Sequence, residues 1–155
     1  MSVAGGGSRW ASRSRAREAA LQMLYQMEVG QLGVLEASHI HSATEPPDAV
    51  QLDDDGRRYA EELARGAWTD RAALDERIAD AARNWRIERM AVLDRLVLRL
   101  AVHELVSHPE TPPRVTIDEA IDLARSYSGD DAAKFVNGVL DGIYKKLKED
   151  GTIVE

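Results

Sequence analysis

Apolar residues along this chain recur at helical intervals, and no segment alternates in the manner of a half-buried strand. Beyond Ser12, Ala20, Leu24 and Met27 form one row with Leu21 and Tyr25 beside it, and Gly30 or Gly33 is expected to close that helix. A shorter, weaker helix is expected from Val34 to about Ala43, broken by "TEPPDA". Tyr59, Leu63, Ala67, Leu74, Ile78 and Trp85 then keep the spacing over a stretch too long for one straight helix, which places a bend or break near Trp68–Asp70. The next segment, with Val92, Leu93, Leu96, Val97, Leu100, Ala101 and Leu105, is apolar on most sides and reads as the central helix.

"PETPPR" stops it, and Thr116 and Glu119 have the spacing of a capping box for the following helix, whose buried stripe is Ile117, Ala120, Ile121 and Ala124. "YSGDD" supplies a turn, with Asp130 or Asp131 as the N-cap of the last helix. That helix contains a conflict, "KFVNGVLDGI". Asn137-Gly138 is a strong hairpin signal. The flanking Phe135, Val136, Val139, Leu140, Ile143 and Leu147 are spaced at three, four and seven, so the helix is expected to win. Gly138 and Gly142 lie four apart and share a face, which predicts a shallow groove where another helix, the central one, approaches closely. The fold class is all-α, with six to seven helices.

Composition sharpens this picture. A chain of 155 residues is long enough for a self-sufficient core, and its lack of cysteine removes disulfides and the usual zinc thiolates. No run of apolar residues is long enough to span a membrane, and a cytoplasmic protein is expected. A flexible leader over residues 1–12 and a flexible tail over 150–155 flank a single domain at 13–149. The net charge is −7, unevenly placed. Of the 20 Lys and Arg residues, Arg9, Arg13, Arg15 and Arg17 fall within the first 17 positions, which hold no acid. The other 16 face 27 acids, a net −11. A basic arm on an acidic body suits contact with a polyanion, although an incidental leader has the same composition.

Little points to catalysis or metal binding. His39 and His41 are two apart, so a helix directs them to different faces, and Asp53–Asp55 lacks the spacing of a calcium loop. There is no nucleophile elbow and no phosphate-binding glycine loop, and Glu104 in its apolar helix reads as paired or capping. Neither an enzyme nor a cofactor is expected. Arg95, Arg99 and His103 form a row on the central helix beside Asp94, either a solvated stripe or a docking surface. The final helix is poor material for reading DNA bases. The arm is better suited to RNA. In a continuous helix Arg15 would point away from Arg13 and Arg17, whereas a segment that orders on binding could use all three. Tyr25 and Phe135 could stack on bases or simply pack in the core.

Taken together, "RSRAREAALQMLYQMEV", "VLDRLVLRLAVHEL" and "VTIDEAIDLARSYSGDDAAKFVNGVLD" resemble the NusB family of bacterial transcription antitermination factors over residues from about 13 to 145. The last motif is highly specific, while segment 33–58 and the leader match loosely. The resemblance implies two three-helix bundles packed roughly at right angles. It also implies binding of the boxA element of nascent ribosomal RNA together with NusE, a small-subunit ribosomal protein, in support of the RNA polymerase elongation complex with other Nus factors. Carried over, the RNA-binding residues are Arg13, Arg15, Arg17, Tyr25, Asp131, Lys134 and Phe135. Asp131 would cap the helix or hydrogen-bond a base or ribose. Asp94, with Arg95 and Arg99 beside it, would face NusE. The arm here is sparser than is usual in the family, which implies dependence on a basic partner. A homodimer in the free state stays open. The alternatives are a helical protein-protein adaptor that never binds RNA and an RNA-binding module related to ribosomal RNA methyltransferases. The latter would need a cofactor domain for which 155 helical residues leave no room.

Overall fold

A computed structural model of the chain describes residues 2–49, 51–83 and 87–154, with side chains from Ser12 onward. Among these residues there are seven α-helices, one short 3-10 turn and no strand. They fall into two compact units, residues 1–68 and 69–155. The expected flexible leader falls mainly on residues whose side chains lie outside the described set, as does Trp85.

The first unit holds α1 (Ser2–Gly30), α2 (Val34–Thr44) and α3 (Asp54–Thr69). Along α1, the predicted row Ala20, Leu24 and Met27 is buried with Leu21, as are Ala16 and Met23, whereas Tyr25, expected beside the row, is exposed. The helix ends where Gln31 takes a left-handed φ of 56°, and Gly33 then starts α2 with its N–H donated to Glu36 Oε1 at 3.3 Å. Helix α2 is shallow, burying only Ala37 and Ser38. Ser38 is tied to α3 by donating its hydroxyl to Glu61 and accepting from Arg57 Nη1 at 3.4 Å. The acidic triplet has a structural use: Asp53 Oδ1 accepts from the Gly56 N–H at 2.7 Å, capping α3, while Asp54 and Asp55 sit in its first turn, where negative charge suits the helix dipole.

The break expected near residues 68–70 is there: α3 stops at Thr69 and α4 (Arg71–Ala82) restarts in the second unit. Beyond the 3-10 turn at Ile87–Arg89 come α5 (Val92–Ser107), α6 (Pro113–Ser128) and α7 (Asp130–Glu149). Helix α5 is buried without interruption from Leu96 to Leu105, and packs against α4, α6 and α7, as its nearly all-round apolar sequence predicts. Its Arg99 is buried and held bidentate by Asp75 of α4, with Nε to Oδ1 at 2.8 Å and Nη2 to Oδ2 at 2.7 Å. The row Arg95–Arg99–His103 is therefore not a solvated stripe, because both Arg99 and His103 are buried.

Three local expectations are corrected. Helix α6 begins at Pro113, a turn before Thr116, so Thr116 is a buried interior residue and not a cap. Proline supplies a preset φ and lacks the N–H that a first helical residue would leave unpaired, so it starts a helix without a capping box. Helix α7 is preceded by Gly129 at φ 96°, which leaves Asp130 and Asp131 inside its first turn. Finally, "KFVNGVLDGI" is helical throughout, but its glycines do not make room for the central helix. A Cβ on Gly138 would meet nothing within 4 Å, and one on Gly142 would lie 3.6 Å from Ala81 Cβ of α4, an ordinary contact. No helix of the described residues is long and apolar enough to cross a membrane.

Candidate nucleic-acid interface

The residues expected to meet RNA fall in both units, four in the first and three in the second. In the first unit, α1 continues as a helix through the arginine arm, so its three arginines have different surroundings. Arg17 is only 5 % exposed and faces the interior. Arg17 is expected to meet RNA with Arg13 and Arg15, and in this helical arrangement it is the buried one of the three. Arg13 and Arg15 are half-buried. The Arg13 guanidinium lies 3.7 Å from the centroid of the Tyr59 ring, and its Nη2 is 3.7 Å from Asp55 Oδ2. The stacking orients the arginine, while the exposed carboxylate partly neutralises it in a solvent-screened pair. Tyr25, farther along the helix, is 40 % exposed, so its ring presents a face to solvent.

In the second unit the candidates cluster at the start of α7. Asp131 and Lys134 are exposed and Phe135 is half-buried, with Asn137 exposed one turn past Lys134. The turn before them is fixed by the Gly129 N–H donating to the Arg125 carbonyl at 2.9 Å, and by Arg125 reaching Asp122 at 3.1 Å and Asp130 at 3.4 Å. Lys134 is an exposed cation at the start of α7, with Phe135 next to it in sequence. Asp131 repels phosphate, so its use here is restricted to the helix dipole or to hydrogen-bond donors on a ligand.

The expected partner-facing residues divide in the same way. Asp94 and Arg95 are half-buried in the first turn of α5, where Asp94 Oδ1 and Arg95 Nε are shielded from solvent and lack a hydrogen bond among the described residues. Polar atoms so placed are costly to leave unmatched. Arg99 is committed to Asp75 in the interior, so its expected place on a docking face is corrected.

Sequence reasoning passed over one polar cluster. His41 and Glu45, at the end of α2, line a small pocket with Arg15 and Gln22 of α1. Burial, the largest influence, lowers the His41 pKa below its ordinary value, with Arg57 acting the same way against the opposing pull of Glu45 and Glu18. Stability linked to His41 is therefore present above its unfolded pKa of about 6.5 and declines as pH falls below it, because the folded state resists the proton. His41 and Glu45 are four apart in sequence, His41 in the last turn of α2 and Glu45 at its C-cap, and that spacing was the available signal.

Residues 14–145 match the NusB family profile. The transcription antitermination protein NusB of Symbiobacterium thermophilum is 41% identical over 142 residues, which cover 88% of this chain and 92% of that protein. Among solved structures, T. maritima NusB matches with a TM-score of 0.73 at 34% identity, covering 86% of this chain and 91% of that one. A crystal structure of the antitermination factors NusB and NusE in complex with dsRNA matches with a TM-score of 0.73 at 27% identity, over 88% of this chain and 98% of that one. With its helices, its motifs and its matched length in agreement, this chain belongs to the NusB family.

Proposed function

We propose that this chain is a cytoplasmic transcription antitermination factor that binds boxA-type single-stranded RNA of nascent ribosomal transcripts together with NusE, and so supports processive transcription by RNA polymerase. As a NusB-family chain it acts by binding, without catalysis. The observation that supports the reading is the near full-length likeness to a NusB crystallised with NusE and dsRNA. In this reading Arg13, Arg15 and Lys134 approach phosphates, Tyr25 and Phe135 stack on bases, and Asp131 accepts from a base or ribose. Arg17 supports the first surface from within. Asp94 and Arg95, with their unmatched polar atoms, form the NusE-facing patch.

The test is a titration of a short boxA RNA with the protein alone and with NusE. NusE is expected to tighten binding. Replacing Arg13 and Arg15 together by Ala, or Lys134 by Ala, should weaken the complex by about tenfold or less for each cation removed from a phosphate. If RNA fails to bind under both conditions while NusE still does, the chain is a protein-only adaptor and the RNA reading is wrong.

A further inference from the structure

The end of α5 brings two imidazoles together in the second unit. His103 lies within the helix and is 4 % exposed, while His108 is its C-cap, with a side chain 14 % exposed. A ring nitrogen of each lies within 4.8 Å of one on the other. The rings meet edge to face, with centroids 5.8 Å apart and planes at 76°. Each ring also has its Nδ1 beside an oxygen, Glu110 Oε2 at 2.9 Å from His108 and Ser107 Oγ at 3.4 Å from His103. A carboxylate beside Nδ1 holds the proton there and leaves the lone pair of the neutral imidazole on Nε2. The backbone fixes His108 from both sides, its N–H donating to the Glu104 carbonyl at 2.9 Å and its carbonyl accepting from the Thr111 N–H at 3.1 Å.

We propose that His103 and His108 bind one divalent transition-metal ion of the zinc class, and that Glu110 orients His108 from behind. The proposal is independent of the RNA-binding reading. Neutral imidazole is a ligand for zinc, copper and nickel, whereas magnesium and calcium take oxygen. Two nitrogens on one tetrahedral zinc, each at about 2.0–2.1 Å, stand about 3.4 Å apart. A pair already within 4.8 Å reaches that separation by turning the rings. Glu110 at Nδ1 is the outer carboxylate that a metal-bound histidine ordinarily has, and it fixes the ring and raises its basicity. Water completes the coordination on the side of His108, the more exposed of the two rings. Such an ion joins α5 to the connection that leads to α6, since His103 belongs to the helix and Glu110 to that connection.

The test is a zinc titration of the full-length protein by isothermal calorimetry, after chelation and without a histidine tag. One equivalent should bind. His108→Ala should weaken binding by about tenfold or more, and Glu110→Gln by about tenfold. Replacing His39 and His41 together by Ala should leave it unchanged. Circular dichroism checks that the variants fold. The buried His103 is read in the wild type instead: by NMR, the ring signals of His103 and His108 should both move as zinc is added, and those of His39 and His41 should not. Magnesium should move none of them. Should His108→Ala fail to fold, the NMR titration decides alone. The proposal is overturned by the absence of heat and of any shift at millimolar zinc, or by binding that survives His108→Ala. A response confined to His39 and His41, or one that magnesium reproduces, overturns it equally.

Discussion

Gly138 and Gly142 sit four residues apart on α7, and their surroundings decide what each can tolerate. Because a Cβ at Gly138 would meet only open space, Gly138→Ala should raise stability by about 0.5–1 kcal/mol, through helix propensity alone. That corresponds to a rise of about 1–4 °C in Tm, which differential scanning calorimetry resolves. An unchanged or lower Tm would mean that the glycine has a packing role after all. From the sequence, the pair looked like a groove for another helix, since spacing reports which residues share a face and not what lies opposite. Arg17 and Arg99 differ from expectation for the same reason. An arginine in a sequence suggests surface, yet both are buried here, and only the positions of neighbouring elements show it. Tyr25, Lys134 and Asp131, also expected to meet RNA, are exposed on their helices.

Elements were easier to read than their ends. The break between α3 and α4 followed from length, and α5 was recognisable as central from its lack of a polar face. The starts of α6 and α7 were misplaced because two start signals competed in each, proline with threonine and glycine with aspartate. What the sequence hid was how α5 is tied to α4. Asp75 and Arg99 are 24 positions apart, and nothing local links them. Asp75 is the bidentate acceptor for the buried Arg99 guanidinium, so Asp75→Ala should cost about 2–3 kcal/mol. Urea denaturation measures this directly, and Asp75→Asn, which keeps an acceptor for one guanidinium N–H, should cost less. A loss under about 0.5 kcal/mol would mean that the pair is energetically a surface contact.

At the scale of the whole molecule the net charge of −7 sets the terms of RNA binding. The cations assigned to phosphate are Arg13, Arg15 and Lys134, so the protein alone should show a log–log salt slope of about −2 on single-stranded RNA. A slope twice as steep, measured by fluorescence anisotropy over a salt series, would require cations beyond these three. By itself the sequence determined the all-helical class, the central position of α5 and the family, because periodicity and the order of motifs are properties of the chain read in one direction. The tertiary structure decided that Arg17 and Arg99 face inward, that Gly138 is unopposed, and that Arg15, His41 and Glu45 share a pocket. Each depends on side chains brought together from different helices, and helical spacing within one segment carries no information about its neighbour.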